Sequence, residues 1–183
     1  MKSINYLIVE LDEAYENEVE VSTGDSVIVN STIEDISHVK RIATVIEAPD
    51  FTILKKGDKV IVHHNIFRLR NGLKGEQLES NFFREDNKYF VPLTEVFMYN
   101  RDDSDWNAID PFCFVEPIKK KEKQGFDLNP NEDTYKGRVP QHGIMKYPNE
   151  ELKKQGVKEG DKVFFSKNSE YEFVIDNKLY YKN

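Results

Sequence analysis

Hydrophobic positions along this chain come in short alternating or continuous runs, and turn residues interrupt them every few positions. Tyr6–Leu11 and Val19–Val21 predict short strands flanking an acidic turn at Asp12–Glu18. Gly24-Asp25 turns the chain into Ser26–Asn30, and Arg41–Ala48 alternates as a strand stopped by Pro49-Asp50. Gly57-Asp58 opens a further run at Lys59–His63. Tyr89–Tyr99 predicts one or two more strands, with Pro92 marking an edge or a bend because proline cannot donate to a ladder. A polar, turn-forming stretch follows at 100–110, and then the pattern restarts. Phe112–Val115, Lys136–Val139, Lys162–Ser166, Tyr171–Ile175 and Lys178–Tyr181 predict strands, while Pro148–Gly156 has room for one helical turn at most. No segment keeps helical periodicity over a dozen residues. Many short strands with closely spaced turns predict an all-β protein, a sandwich or a small barrel.

One phrase occurs twice. Gly57-Asp58-Lys59-Val60 is followed by Asp86-Asn87-Lys88, and Gly160-Asp161-Lys162-Val163 by Asp176-Asn177-Lys178. Matched turns in matched order predict a duplicated β-unit: a first unit over 1–100 with an N-terminal extension, a linker at 101–110, and a second unit over 111–183. The two differ by insertions. The first carries Arg68–Ser80, whose Asn71-Gly72 signals a hairpin or a flexible excursion. The second carries Lys119–Tyr135 between its first two strands, a gap that the first unit is expected to span with Ser31–Lys40.

The charge and composition narrow the function. The 183 residues carry a net charge of −7, which argues against a protein built to hold a nucleic-acid backbone. No apolar run approaches the roughly 20 residues of a membrane helix. The start of the chain lacks the form of a signal peptide, and the lone Cys113 excludes an internal disulfide; together they predict a cytoplasmic protein. Aromatic residues, 12 Phe and 9 Tyr, suit strands better than helices.

Residues 110–181 resemble a GroES-type co-chaperonin subunit. Phe112-Cys113-Phe114-Val115-Glu116-Pro117 matches that family's opening strand, and Gln124-Gly125-Phe126-Asp127-Leu128 its long mobile loop with a glycine before a short apolar triplet. Tyr135–Val139 matches the strand leaving that loop, His142-Gly143 the next loop, and Val157–Phe165 the family's valine-lysine-x-glycine-aspartate strand opening. Tyr171–Tyr180 matches the late hairpin. The first unit matches more loosely: Gly24–Asn30 stands for the opening strand, Leu54–Val62 for the Gly-Asp turn, and Asp86–Phe97 for the hairpin and closing strand. The tandem arrangement is similar to phage-encoded co-chaperonins. The resemblance implies two GroES-like, partly open β-barrels with long loops, a homo-oligomeric ring, and a lid that caps a GroEL-type chaperonin and assists protein folding. ATP or ADP would be bound by the partner; the lid would need no cofactor and would be no enzyme. Its location would be the cytoplasm, the host's if the protein is viral. Two departures stand: Asp127 interrupts the apolar triplet, and the second unit ends with no room for a closing strand like Leu93–Tyr99. Asn5–Leu11 is a candidate to supply that strand to its own chain or to a neighbour.

On its residues alone, Lys119–Tyr135 is a polar surface linker with two large apolar side chains, Phe126 and Leu128. Burying those two cannot offset an ordering cost of roughly 1–2 kcal/mol per residue, so the segment is expected to be mobile when free. In an extended conformation Phe126 and Leu128 point one way and Asp127 the other. The resemblance implies that Gly125, Phe126, Asp127 and Leu128 make the chaperonin contact, in a groove between two helices of its apical domain. The alternative is a β-barrel structural or interaction protein, such as a virion component, with no chaperonin contact.

Other residues carry weaker signals. His63-His64, read as strand neighbours on opposite faces, predicts one buried and one exposed ring and no metal site. Asp102, Asp103, Asp105 and Asp110 lack the glycine and distal glutamate of a calcium loop and read as a solvated linker. Cys113 reads as a small core residue, and Lys119-Lys120-Lys121 with Lys123 as a solvated flank. No phosphate-binding loop, dinucleotide fingerprint, nucleophile elbow or zinc-protease motif occurs.

Overall fold

The computed structural model describes residues 4–12, 14, 18–20, 26–28, 39–119, 138–166, 169, 171–175 and 178–183. The chain divides into two compact units, Met1–Trp106 and Asn107–Asn183. Its strands in the first unit are β1 (Tyr6–Glu10), β2 (Glu18–Glu20), β3 (Ser26–Ile28), β4 (Ile42–Glu47), β5 (Lys59–Val62), β6 (Arg70–Asn71), β7 (Gln77–Leu78), β8 (Lys88–Pro92) and β9 (Val96–Asn100). The second unit holds β10 (Asn107–Ala108), β11 (Phe114–Lys119), β12 (Arg138–Tyr147), β13 (Lys162–Phe164), β14 (Tyr171–Ile175) and β15 (Lys178–Lys182), with the single turn α1 (Glu150–Lys154). The protein is therefore all-β, built from antiparallel sheets, none of them closed among the described residues. No helix is long and apolar enough to cross a membrane among those residues.

In the first unit the strand order is β9-β5-β4-β1-β8, and in the second β13-β12-β11-β15-β14. The registers coincide position for position. Ala43 faces Val60 and Thr44 faces Lys59, as Gly143 faces Val163 and Ile144 faces Lys162. Between β1 and β4 the pairing slips at one place, from Ile8↔Glu47 to Val9↔Val45; between β11 and β12 it slips from Phe114↔Tyr147 to Val115↔Met145. A bulge bends a strand and increases its twist, so β4 and β12 carry the same irregularity, with Ile46 and Lys146 as the extra residues.

The repeated Gly-Asp turn is the same structure twice. Gly57 has φ +92° and Gly160 φ +90°, a left-handed conformation that costs any residue with a Cβ roughly 1–2 kcal/mol. Gly57 N donates to Val45 O and Val45 N to Asp58 O, both at 2.8 Å; Gly160 N donates to Met145 O and Met145 N to Asp161 O, again at 2.8 Å. In each turn the aspartate carboxylate accepts the amide three residues earlier, Lys55 N or Lys158 N, at 2.8 Å.

The sheets also depart from the sequence expectation. The opening strand of the first unit is Tyr6–Glu10, and it is no extension: β1 lies between β4 and β8 and corresponds to β11. The reason is burial. Leu7, Ile8 and Val9 are all buried, which demands apolar neighbours on both faces of a central strand. Gly24–Asn30, expected in that role, instead contributes β3, which among the described residues pairs with β2 in a separate two-stranded ribbon. The hairpin match shifts as well. Asp86-Asn87, both with positive φ, make a two-residue turn, so that residues 82–84 pair back onto 88–90. The β1 and β11 registers equate Tyr89 with Tyr181 rather than with Leu179, since Val9 faces Tyr89 and Val115 faces Tyr181. The second hairpin is thus two residues longer in that arm, a shift that leaves every side chain on its original face.

Pro92 ends β8 and leads through a 3-10 turn, Leu93–Glu95, into β9, which pairs antiparallel with β5. The second unit has no equivalent of β9 among the described residues. β13 is therefore an edge, and Phe164 on it is 75% exposed. The buried residues of the first unit include Leu7, Val9, Val45, Val60, Phe67 and Phe97; in the second, Phe114 packs edge-on against Phe173 and Tyr147 on one face of the sheet, while Val115, Met145 and Tyr181 cluster with Val163 and Phe165 on the other. Each such buried side chain contributes about 1.5–3 kcal/mol.

Candidate functional site

The candidate contact residues Gly125, Phe126, Asp127 and Leu128 lie outside the described residues. What the structure describes is their anchorage. Lys119 ends β11 opposite Arg138, which opens β12, so residues 120–137 leave and rejoin the sheet at adjacent central strands. Arg138 secures the return. Its Nη1 donates to Glu172 Oε1 at 2.7 Å and to the Tyr181 hydroxyl at 3.1 Å, which ties β12 to β14 and β15. On the outgoing side Glu116 pairs with Lys178 of β15. Charged groups tied to strands beside the loop stems hold those stems in place whatever the loop does.

The first unit carries an insertion at the same topological place, which the sequence reading missed. The equivalents of β11 and β12 are β1 and β4, and residues 11–41 connect them. The expected short link at Ser31–Lys40 is only the end of that connection, which also contains the β2–β3 ribbon. Its stems are tied by Leu11 N to Asn87 O at 3.1 Å and by Lys40 N to Ala14 O at 2.9 Å. The available signal was weak: Tyr6-Leu7-Ile8-Val9 is only one residue longer than the apolar triplet Val27-Ile28-Val29.

His63 and His64 are not on opposite faces of a strand. His63 precedes and His64 opens a 3-10 turn, His64–Ile66, and their rings lie side by side with centroids 4.2 Å apart. His63 Nδ1 accepts the Asn65 amide at 3.1 Å. His64 is buried, and burial, with the positive charges of His63, Arg41 and Arg68, pushes its pKa down to about 4. No group of three or more His, Cys, Asp or Glu among the described residues is placed to hold a metal ion.

The polar stretch after β9 is pinned rather than merely solvated. Arg101 forms a two-pronged pair with Asp58, Nε to Oδ1 at 2.8 Å and Nη2 to Oδ2 at 2.7 Å, and Nη2 also donates to Ile53 O at 2.9 Å. Lys59 reaches Asp103 at 2.6 Å. Burial alone would raise the Asp58 carboxyl, but the Arg101 guanidinium and the Lys55 amide outweigh it and hold the pKa below the usual carboxylate value. Cys113 is half-buried; burial pushes its thiol up, away from the reactive thiolate, while its backbone exchanges hydrogen bonds with Asn183 at 2.9 and 3.0 Å.

Compared with models of known protein families the sequence matches none, and it matches no curated protein.

Proposed function

We propose that this chain is a GroES-type co-chaperonin, a lid that docks on a GroEL-type chaperonin through the loop at residues 120–137. The observation that carries the proposal is the matched pair of sheets: two units with one register, each with a long insertion between the same two central strands. That is the place from which the mobile loop of the resembled family leaves its sheet. The GroES-like barrel fold of both units is part of the same proposal.

In this reading Gly125 lets the loop turn, and Phe126 and Leu128 fill an apolar groove on the chaperonin while Asp127 faces solvent. Two buried side chains contribute about 1.5–3 kcal/mol each, and ordering the loop removes much of that, so one loop binds weakly. A homo-oligomeric ring presenting several loops at high effective concentration binds tightly and still releases. The chain itself performs no covalent chemistry; nucleotide belongs to the partner.

The test is co-sedimentation of the purified protein with a bacterial chaperonin, with and without ADP or ATP, beside Leu128→Glu. Nucleotide-dependent binding that the substitution abolishes is expected. Equal binding by Leu128→Glu, or no binding to several chaperonins, overturns the proposal and leaves the structural-protein alternative.

A further inference from the structure

We propose that the cavity between the His63–Leu69 segment and the β6–β7 hairpin binds a small organic oxyanion: a phosphate or carboxylate group carried on an apolar or planar body. This site is independent of the chaperonin proposal. It lies wholly within the first unit, and the hairpin that walls it falls in the Arg68–Ser80 insertion, for which the second unit has no counterpart among the described residues.

The cavity encloses about 590 Å³. Bound small molecules typically occupy sites of ~300–1,000 Å³, so the space suits a body larger than a bare inorganic ion. Its polar lining is biased toward cations and donors. Arg68 and Arg70 both line it, with His63 and the side-chain amides of Asn65 and Asn81; Glu95 is its single carboxylate. Arg68 takes part in no ion pair among the described residues. Arg70 donates its Nε to Glu79 O at 3.0 Å, so its terminal nitrogens are not used by that bond. In a chain of net charge −7 this is a local excess of positive charge, and the guanidinium fork matches the paired oxygens of a phosphate or carboxylate.

The walls are held rather than loose. Ser80, buried, donates its hydroxyl to Ile66 O at 2.6 Å and accepts the Phe82 amide at 3.1 Å, so the base of the hairpin is fastened to the turn bearing His63. Glu76 is turned back into the hairpin loop, where its carboxylate accepts the Lys74 amide at 3.0 Å, and so does not neutralise the arginines. Ile66, Leu69 and Phe82 add apolar surface for the body of the ligand, and Asn71 a further polar group.

The experiment is a titration of the ¹⁵N-labelled full-length protein, followed by amide shifts, with four probes: phenyl phosphate, benzoate, inorganic phosphate and phenol. We expect saturable shifts at Asn65, Arg68 and Asn81 with at least one aromatic anion at millimolar concentration, and none with phenol. The stronger of phenyl phosphate and benzoate identifies the head group. Arg68→Gln should weaken binding about tenfold, the loss of one charge-assisted pair. Glu95→Gln should tighten it several-fold, a change that misfolding cannot mimic. Absence of saturable shifts with either aromatic anion, equal binding of phenol, inorganic phosphate as tight as phenyl phosphate, or an unchanged affinity in Arg68→Gln would overturn the assignment.

Discussion

Replacing Arg101 by alanine tests whether the closing strand of the first unit is locked by its charge pair. The Asp58 carboxylate is 2% exposed and receives three hydrogen bonds, two from Arg101 and one from the Lys55 amide. Removing Arg101 leaves a buried carboxylate with one backbone donor. Breaking a buried pair by deleting one partner costs ~3–5 kcal/mol. The Arg101 side chain is itself 33% exposed, so water enters where it stood, and we expect a loss of about 2–3 kcal/mol. Asp58→Asn should cost a similar amount, and the double variant less than the sum of the two. Asp161→Asn supplies the internal control. Asp161 accepts the same backbone amide but is exposed, and the second unit places no arginine on it, so its loss should stay within about 1 kcal/mol. Urea unfolding followed by the fluorescence of Trp106, the chain's single tryptophan, reads the first unit, and far-UV circular dichroism of the same samples reads both units, so that the Asp161→Asn loss is seen as well. The folded pKa of Asp58 is lowered, so its stabilisation is present above the unfolded value near 4 and fades as the pH falls through the folded value. The difference between wild type and Asp58→Asn should therefore shrink in acid. A loss below about 0.5 kcal/mol in Arg101→Ala, or equal losses in Asp58→Asn and Asp161→Asn, would refute the reasoning.

Three further outcomes are expected. His64 titrates near 4 when folded and near 6.5 when unfolded, so the unfolded chain binds more protons between those values and stability falls as the pH drops through them; relative to His64→Gln, wild type should lose roughly 2–3 kcal/mol between pH 7 and pH 4.5, measured by urea midpoints. Gly143→Ala would bring a methyl within 2.9 Å of Val115 Cβ and Cγ2, and should cost the second unit about 1–3 kcal/mol by thermal unfolding; the register-equivalent Ala43 already carries that methyl in the first unit. Gly57→Ala and Gly160→Ala should each cost about 1–2 kcal/mol, because nothing crowds either Cβ position and only the left-handed backbone penalises it; circular-dichroism melts of both variants check the parity.

Several features were determined by the sequence itself, because they depend on residues close together in the chain. The Gly57-Asp58 and Gly160-Asp161 turns need a glycine at positive φ and an aspartate that reaches back three residues, and both requirements are written locally. The same holds for the Asp86-Asn87 turn, for the bend after Pro92, and for the single helical turn capped by Asn149, whose side chain accepts the Leu152 amide at 2.9 Å. Tertiary structure alone decided which strand stands at the centre of the first sheet. Tyr6–Glu10 and Ser26–Ile28 are similar short apolar segments, and only pairing with β4 on one side and β8 on the other distinguishes the first. The same long-range pairing revealed that the first unit also has an insertion between its opening strands, and it moved the hairpin match from Leu179 to Tyr181. A shift of two residues leaves the alternation of apolar and polar positions unchanged, so periodicity along the chain cannot detect it. The clustering of Arg68, Arg70 and His63 around one cavity likewise arises from the hairpin folding back through Ser80, a contact between residues 14 positions apart that no local pattern specifies.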